Sequence, residues 1–432
     1  MKILFCHPRA WGDEYLMAQQ LAQRGHQVCM LQEDRKLDGA LFAHGWWQKL
    51  RSALRLHNAR KLSPHFRPGD GLQTLWFNPA SGLEKLLTLP LDRLVRRSPY
   101  RGNIGHRMWL IHAALRQFQP DVVIACEGFS YGAPAALLKR FGLMQSALVV
   151  QFIGGDLLDE PRADCGVRRT PASRWLYQQI RRHATLLKPV SPLLGELLIR
   201  EGAKPDRIHV LPSNLGPVTA DQVTHLAQQR AAIGQEIRAR YGIAADAPLI
   251  ISLSNNQKGK GLQILANAWP ALHAAHPDYH WLLAGPTNDW FERELRPLLG
   301  TAHSITFTGR LHGEDVFRHL AAADVLVNPT LADGLNLVSV EAASVGTPSI
   351  VTDKAGIAHW ITQHDAGRVI PAHDPVALHQ AVVQFFEQRD PTDHSIHTRC
   401  QNLAAGFQVD VLAIGLEQLL AKAIDLNRRA LR

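Results

Sequence analysis

The chain of 432 residues contains only five cysteines, and none of them stands in a CxxC pair. An odd number of scattered cysteines argues against a disulfide framework, and the missing paired spacing predicts no zinc site. No run approaches the ~18 consecutive apolar residues that a membrane-spanning helix needs. The apolar start of the chain is too short for the core of a signal peptide and breaks at His7-Pro8. We therefore expect a protein of the reducing cytoplasm.

Common catalytic signatures are also missing. The sequence contains no HExxH motif, no carboxylate triad and no Ser/His/Asp order, and its glycine-rich pieces do not form a dinucleotide-binding GxGxxG. Its 22 histidines show no spacing typical of metal ligands. These absences predict no metal and argue against a metalloprotease or a dinucleotide-dependent enzyme.

What is present is ordinary globular composition, with 46% apolar and 20% charged residues. The length suits two domains of roughly 200 residues each. Short β-rich runs alternate with helical patterns throughout, which predicts parallel sheets and two doubly wound α/β domains. The predicted strands are Ile3–Cys6, Gln27–Leu31, Asp121–Ala125, Ala147–Phe152, Leu187–Val190, Ile208–Leu211, Leu249–Leu253, His280–Ala284, Ser304–Thr308, Val325–Asn328, Ser349–Thr352 and Gly367–Ile370.

The most informative stretch runs from residue 332 to residue 348. Asp333 and Glu341 are eight positions apart, on either side of a turn that begins at Gly334 and leads into an apolar helix. A carboxylate in such surroundings needs a hydrogen-bonding partner or becomes neutral, so we expect Glu341 to have a partner. The amides of Gly334 to Leu337 at the helix start predict an anion site. An anion at the helix start and a polyol on Glu341 together describe a nucleotide sugar.

The segment Asp333–Glu341 resembles the Glu-x7-Glu signature of retaining GT-B glycosyltransferases, chiefly glycosyltransferase family 4, with Asp in place of the first Glu. Gln23–Val28, Gln119–Val123 and Lys204–Pro212 resemble further family segments, in the family's order. The resemblance implies two doubly wound Rossmann-like domains facing across a cleft. Residues 1–216 would bind the acceptor and residues 217–408 the nucleotide sugar. Residues 409–432 would form a helix that packs back on the first domain.

The resemblance also implies roles for individual donor-side residues. Lys260, Asp333 and Glu341 would be the catalytic set: Lys260 on the pyrophosphate, Asp333 towards the sugar and Glu341 on the ribose hydroxyls. Asn255 stands where family members usually carry Arg and would bond a phosphate oxygen without adding charge. The other residues implied in donor binding are Gly309, Arg310, Leu311, Gly334, Leu335, Asn336 and Leu337. Arg310 is equally compatible with a surface role, because the backbone there is thought to meet the nucleobase.

Three residues of the first half are candidates for acceptor binding. His7 and Gly12 flank the loop after the first strand, where open α/β sheets bind ligands. Asp156 ends Phe152–Asp156, which resembles the family's His-Gly-x-Asp run with Ile153 in the position of the His. We expect Asp156 to bind acceptor hydroxyls. A loop histidine without a role is as compatible with the sequence as an acceptor contact by His7.

The formal net charge is +9, and residues 41–107 hold twelve Lys or Arg against three acids. Trp46, Trp47 and several leucines are interleaved with these cations. Basic residues beside apolar ones suit an anionic membrane surface or a pyrophosphate-bearing acceptor. Nucleic acid is the competing partner, but no nucleic-acid motif accompanies the cluster. Two solvated helical faces explain the pattern equally well.

The sequence thus predicts a retaining, metal-independent glycosyltransferase that needs no cofactor. A UDP- or GDP-sugar would be its co-substrate and a saccharide or lipid-linked glycan its acceptor, in surface glycan biosynthesis. If the basic cluster binds membrane, the enzyme would lie on the inner face. Two alternatives stay open: a nucleotide-sugar epimerase of the same fold, and a catalytically weak GT-B subunit that binds a partner protein.

Overall fold

The structure is a computed structural model that describes residues 1–7, 12–33, 57–58, 72–77, 104–216, 218–299, 304–388 and 394–432. It consists of two compact units. Unit 1 comprises Met1–Asp159, Gly166–Pro217 and Val409–Arg432, and unit 2 comprises Glu160–Cys165 and Val218–Gln408. The boundaries after Pro217 and after Gln408 lie within one residue of those expected from the sequence. The segment Glu160–Cys165 differs, since it was expected in the first domain.

Unit 1 is built on a seven-stranded sheet with the order β3-β4-β2-β1-β5-β6-β7. All neighbouring strands are parallel except β3 and β4, which are antiparallel. Its strands are β1 (Lys2–His7), β2 (Gln27–Glu33), β3 (His57–Asn58), β4 (Leu72–Phe77), β5 (Val122–Ala125), β6 (Ala147–Phe152) and β7 (Leu186–Pro189). Its helices are α1 (Gly12–Gln23), α2 (Ile104–Phe118), α3 (Ala133–Arg140), α4 (Pro171–His183), α5 (Pro192–Arg200) and the last helix of the chain, α15 (Val409–Leu431).

Unit 2 is built on a six-stranded parallel sheet with the order β10-β9-β8-β11-β12-β13. Its strands are β8 (Leu249–Leu253), β9 (His280–Ala284), β10 (Ile305–Gly309), β11 (Val325–Asn328), β12 (Ser349–Thr352) and β13 (Gly367–Ile370). Its helices are α6 (Ala220–Gln228), α7 (Arg230–Tyr241), α8 (Leu262–Ala275), α9 (Arg296–Leu299), α10 (Glu314–Ala322), α11 (Leu337–Ser344), α12 (Ala358–His364), α13 (Pro375–Glu387) and α14 (Ser395–Ala405).

The strand order reverses at one place in each sheet. In unit 1 the reversal lies between β1 and β5, and in unit 2 it lies between β8 and β11. Open α/β sheets bind ligands at the carboxyl ends of the strands beside such a switch point. His7 and Cys126 therefore end up next to the switch point of unit 1. The loops that carry Lys260 and Asp333 follow the two switch-point strands of unit 2.

Buried apolar strands and helix faces form the core of each unit. In unit 1, α15 packs against α1, and Leu412, Leu416 and Leu420 lie in the same core as β1. Among the described residues, one stretch has the length and composition of a membrane-spanning helix: Ser395–Leu431, which contains an 18-residue window with a mean hydropathy of 1.4. A core helix of a folded domain meets the same criteria, and the second half of this stretch packs as one.

The segment Glu160–Cys165 corrects the expected domain boundary. Backbone bonds in both directions between Glu160 and Cys165, at 3.0 and 3.1 Å, close it into a small loop. Ala163 at its tip is buried in a core cluster of unit 2 that includes Leu262 and Trp269. Because this apolar contact is long-range, nothing in the local sequence indicated it.

Eleven of the twelve predicted strands are present, with ends shifted by at most two residues. The prediction of a strand at Ile208–Leu211 was wrong. That segment makes one parallel bridge, from Ile208 to Leu187, and Pro189 of β7 has no N–H with which to extend the ladder. The sequence reading also missed β3 and β4, which lie within the basic region.

Candidate active site

A salt bridge joins the two switch-point loops of unit 2. Lys260 ends a short 3-10 turn after β8, and Asp333 lies in the loop between β11 and α11. The Lys260 Nζ lies 2.6 Å from the Asp333 Oδ2, with 28% and 15% of the two side chains exposed. Both residues were predicted to act on the donor, and the structure brings them into direct contact.

Close backbone packing holds the two loops together. The carbonyl oxygen of Gly259 accepts hydrogen bonds from the Leu331 amide and the Thr330 hydroxyl, both at 2.9 Å. Gly261 has a φ of +69°, and a Cβ at this position would lie 1.8 Å from the carbonyl oxygen of Pro329. Only glycine satisfies both conditions. The Lys260-Gly261 pair thus combines a charge with the one residue that allows the β11 loop to approach.

Asp333 makes hydrogen bonds through its carboxylate, its amide and its carbonyl group. Its Oδ1 accepts hydrogen bonds from the amides of Asn336 at 3.0 Å and Leu335 at 3.4 Å. Its own amide donates to the Lys354 carbonyl at 3.1 Å, and its carbonyl accepts from the Gly356 amide at 3.0 Å. The loops after β8, β11 and β12 therefore meet at this residue.

This arrangement corrects the predicted anion site at the helix start. The helix begins at Leu337 and not at Gly334, because Asn336 adopts a left-handed conformation with a φ of 70°. The amides of Leu335 and Asn336 are directed to the Asp333 carboxylate. Within the described part of the chain, the amides of Gly334 and Leu337 have no protein acceptor. These two N–H groups remain as donors for an anion.

Hydrogen bonds to its side chain hold Asn336 in this strained conformation. Its side chain is buried, and its Oδ1 accepts from the Ser339 hydroxyl at 2.9 Å and from the Asn328 Nδ2 at 3.3 Å. Left-handed conformations of residues other than glycine persist only where the surroundings fix them, and they cluster at functional sites. The bend at Asn336 therefore sets the direction in which α11 leaves the switch point.

Glu341 lies one turn into α11, on the same partly exposed face as Leu337. Its carboxylate makes no hydrogen bond to the residues that the structure describes, so the expected protein partner was not found. Burial instead raises the pKa of Glu341 to about 7. The carboxyl group is thus balanced between its neutral and charged forms at neutral pH. A ligand that donates hydrogen bonds would favour the charged form.

The remaining donor-side residues lie apart from this pair. Asn255 is exposed, and its carbonyl accepts from the Asn288 Nδ2 at 3.3 Å. Gly309, Arg310 and Leu311 follow β10 at the edge of the sheet, and the Arg310 side chain is exposed. Over the described ranges, no hydrogen bond or ion pair connects these residues to Lys260 or Asp333. Their proposed roles in donor binding stay predictions.

In unit 1, His7 is 1% exposed at the end of β1, and its Nε2 lies 3.5 Å from the Glu14 Oε2. Gly12 is the first residue of α1. Glu14 belongs to a buried polar chain that the sequence reading missed: its Oε1 accepts from the Gln151 Nε2, and the Gln151 Oε1 accepts from the Lys188 Nζ, each at 2.9 Å. The sequence does contain a signal for this chain, because Gln151 and Lys188 are polar residues inside the apolar runs of β6 and β7.

Asp156 has a structural task in unit 1. It is 3% exposed and accepts hydrogen bonds from the amides of Gly128 at 2.8 Å and Gly154 at 3.0 Å. Burial raises the pKa of Asp156 to about 6, although these hydrogen bonds act in the opposite direction. Asp156 therefore joins the loops after β5 and β6. Its contact with an acceptor hydroxyl stays a prediction.

The basic cluster can be assessed at one of its twelve cations. Arg107 is 7% exposed, donates to the Ser130 carbonyl at 3.2 Å and lies over the Tyr131 ring at 5.3 Å. Its inclusion in a surface patch was wrong, because its guanidinium serves the interior of unit 1. The other eleven cations of residues 41–107 lie outside the described residues.

Two family models match most of the chain. The Glycosyl transferase 4-like domain matches residues 15–214, and Glycosyl transferases group 1 matches residues 247–388. A colanic acid biosynthesis glycosyltransferase of Salmonella typhimurium, WcaL, whose assignment is putative, is 26% identical over 70% of this chain and 71% of its own length. A D-inositol 3-phosphate glycosyltransferase of Streptomyces coelicolor is also 26% identical, over 45% of each chain. This chain thus spans about half of that relative.

Solved structures show the same fold. Sucrose-phosphate synthase from Thermosynechococcus elongatus superimposes with a TM-score of 0.69 at 17% identity, covering 98% of both chains. Anabaena HepE in complex with UDP and glucose superimposes with a TM-score of 0.63 at 17% identity, covering 98% of this chain and 100% of HepE. The two Rossmann-like units and the two matching family models define a GT-B glycosyltransferase. The chain belongs to the family 4 glycosyltransferases.

Proposed function

We propose that the protein transfers a sugar, with retention of anomeric configuration, from a nucleotide sugar bound in unit 2. The observation that carries this proposal is the salt bridge of Lys260 with Asp333 at one switch point, in the same loop as the amides of Gly334 and Leu337, which have no acceptor among the described residues. A cation and two N–H groups at the carboxyl ends of parallel strands suit a pyrophosphate. Retention is supported by the resemblance of Asp333–Glu341 to the signature of retaining enzymes.

Lys260 would provide the positive charge that the leaving diphosphate needs. An ammonium group has three N–H donors, and the salt bridge with Asp333 uses one of them. The other two are available to phosphate oxygens, beside the Gly334 and Leu337 amides. Fixed donors aimed at a developing charge stabilise a transition state without reorganisation. On this basis the donor reaction needs no metal ion and no cofactor.

Glu341 would bind the ribose. Its carboxyl group has a pKa of about 7 and no hydrogen bond within the described part of the structure. Ribose hydroxyls would donate to the ionised form, which recovers hydrogen bonds that burial removes. Donor binding should therefore be coupled to loss of a proton from Glu341.

The contacts of Asp333 favour a role in positioning rather than contact with the sugar. One of its carboxylate oxygens faces Lys260 and the other faces two loop amides. Asp333 thus fixes both the charge and the loop that would meet the pyrophosphate. This account fits the shorter side chain at a position where the family usually has Glu.

The names of the relatives indicate the class of acceptor. WcaL is named for colanic acid biosynthesis, and the Streptomyces relative is named for glycosyl transfer to D-inositol 3-phosphate. We assign this protein to glycan or glycolipid biosynthesis in the cytoplasm, with a saccharide or lipid-linked acceptor.

If the enzyme binds a membrane surface, residues 41–107 would make the contact. Replacing Arg93, Arg96, Arg97 and Arg101 with Gln should then abolish salt-sensitive binding to anionic vesicles; no binding by the wild type at low salt would contradict this.

A hydrolysis screen tests the proposed reaction. Many transferases slowly pass their sugar to water, so the purified protein is incubated with separate UDP- and GDP-sugars and the products are resolved by mass spectrometry. One donor should yield free sugar and nucleoside diphosphate. Conversion of a nucleotide sugar into its epimer would support the epimerase instead. No turnover of any donor, with or without candidate acceptors, would favour a partner-binding subunit.

A further inference from the structure

The switch point of unit 1 brings Cys126 together with His7 and Glu14, which lie more than 100 positions earlier in the chain. Cys6 of β1 pairs with Ala125 of β5, so the residues that follow them, His7 and Cys126, emerge side by side. The Cys126 amide donates to the Cys6 carbonyl at 2.9 Å, which fixes this register. Glu14, in the first turn of α1, completes the group.

The three side chains direct their polar atoms at a common point. The His7 ring nitrogen, a Glu14 carboxylate oxygen and the Cys126 Sγ all lie within 4.8 Å of one another. The His7 Nε2 and the Glu14 Oε2 are 3.5 Å apart. Exposed fractions are 1% for His7, 6% for Glu14 and 0% for Cys126. A buried carboxylate of this kind is stabilised by a cation.

We propose that His7, Glu14 and Cys126 bind one zinc ion. Imidazole nitrogen, carboxylate oxygen and thiolate sulfur are the ligands that Zn²⁺ takes in proteins, with bonds of about 2.0–2.3 Å. In a tetrahedral site, neighbouring ligand atoms are then roughly 3.3–3.8 Å apart. The 3.5 Å between His7 and Glu14 already meets this requirement. The Cys126 sulfur, within 4.8 Å of both, needs only a small side-chain adjustment.

A second layer of residues orients the carboxylate. The Glu14 Oε1 is held by the Gln151 Nε2 at 2.9 Å, which leaves Oε2 on the side of His7. Gln151 is in turn fixed by the Lys188 Nζ at 2.9 Å. Metal-ligating carboxylates are commonly hydrogen-bonded in this way, and loss of such a partner weakens metal affinity about 10–100-fold.

A small cavity lies beside Glu14, and neither His7 nor Cys126 lines it. A cavity of about 20 Å³ is lined by Glu14, Gln151, Lys188 and Asn214, among others. That volume accommodates roughly one water molecule. This water would lie beside Glu14; the fourth position of a tetrahedral zinc site with three protein ligands is commonly taken by water.

Binding would release one proton, because zinc takes the thiolate form of Cys126 and the thiol proton passes to solvent. The ion would join the ends of β1 and β5 to α1 within unit 1. Binding to the folded state alone raises its stability. The proposal is independent of the donor site, which belongs to unit 2, and stands or falls separately from the proposed function.

Metal content and spectroscopy test the proposal on the intact protein. Wild-type protein incubated with zinc chloride and desalted should retain about one zinc per chain and unfold at a higher temperature. Cobalt substitution should give the thiolate-to-cobalt absorption band in the near ultraviolet. Cys126→Ser should abolish that band, whereas Cys400→Ser, at a buried cysteine of unit 2, should keep it. Gln151→Ala should weaken zinc binding about 10-fold or more.

If a buried variant fails to fold, X-ray absorption at the zinc edge of the wild-type protein tests the proposed zinc site. The proposal requires one sulfur at about 2.3 Å and nitrogen or oxygen neighbours at about 2.0–2.2 Å. It is overturned by no retained zinc or by a zinc shell without sulfur. Equal zinc retention in wild type, Cys126→Ser and Glu14→Gln would overturn it as well.

Discussion

The Lys260 ammonium and the Asp333 carboxylate lie 2.6 Å apart, although 73 residues separate them in the chain. The pair bridges the loops after β8 and β11, the two strands at the switch point of unit 2. The cation that we propose for the pyrophosphate thus has its own counter-ion in the structure. In the proposed function this pairing changes the role of Asp333 from contact with the sugar to positioning of Lys260, while Lys260 keeps its role in charge stabilisation.

Asp333→Asn tests the positioning role. The Asn side chain would still accept a hydrogen bond from the Asn336 amide, but Lys260 would lose its ionic partner. Removing a negative charge beside a bound diphosphate should leave the donor KM unchanged or lower. The kcat should fall at least 10-fold, because Lys260 is no longer fixed. Steady-state kinetics of donor hydrolysis measure the separate changes in KM and kcat. A raised KM with unchanged kcat would show instead that Asp333 contacts the donor in the ground state.

Glu341→Gln should increase stability and abolish donor binding. A carboxyl group whose pKa is raised to about 7 by folding favours the protonated folded state. Its contribution to stability is complete below the unfolded pKa and is lost as the pH rises through about 7. Glu341→Gln should therefore raise the Tm relative to wild type at pH 8 and change it little at pH 5. Thermal unfolding at the two pH values measures this effect.

The exposed Glu294 provides the control for that substitution. Glu294→Gln should change neither the pH profile of the Tm nor the affinity for the donor nucleotide. In the wild type, nucleotide affinity should rise between pH 6 and pH 8 as Glu341 ionises, and this rise should be absent from Glu341→Gln. Full donor affinity in Glu341→Gln would contradict the ribose-binding role.

Gly261→Ala should disrupt the meeting of the two loops. The added Cβ would lie 1.8 Å from the Pro329 carbonyl oxygen, and the φ of +69° is unfavourable for alanine. Gly242→Ala is a matched control in unit 2, since it has a φ of +66° and no atom within 4 Å of the added Cβ. Conformational strain alone costs on the order of 1–3 kcal/mol. Denaturant unfolding should show a larger loss for Gly261→Ala; equal losses would mean that the loops adjust freely.

Donor turnover should not depend on Mg²⁺ or Mn²⁺. In the proposed function Lys260 and the amides of Gly334 and Leu337 take the part of a metal ion, so chelator-treated protein should regain no rate on addition of either cation. The donor-hydrolysis assay measures this directly. Recovery with Mg²⁺ or Mn²⁺ would contradict the proposed chemistry. Recovery with Zn²⁺ alone would point to unit 1 and leave the donor site unaffected.

Local patterns predicted most of the fold, because the apolar runs of both sheets are short and bounded by turn residues. In unit 2, five of the six strands begin and end at the predicted residues, and β10 is shifted by one. Strands β3 and β4 were missed, since they lie in a region read as basic helical faces. The residues of the candidate donor site were named from the segments around Lys260 and Asp333, and their roles stay predictions.

Contacts between distant residues were not predictable in the same way. The bonds that the Asp333 carboxylate accepts from the amides of Leu335 and Asn336 are local ones typical of Asp in a turn, whereas nothing local to Asp333 indicates that its carboxylate meets Lys260. The same holds for Cys126 and His7, which lack any metal-ligand spacing and meet only because β1 and β5 are neighbours. Both relationships depend on strand order, which a single sequence does not reveal.

Calorimetric titration with UDP and GDP tests the proposed donor site of unit 2 most directly. Wild-type protein should bind one of the two nucleotides. Lys260→Ala should lose at least 10-fold in affinity, while Lys258→Ala, which removes an exposed lysine from the same short turn, should match the wild type. Equal affinities of the three proteins, or the same loss in both variants, would contradict a diphosphate site built on Lys260.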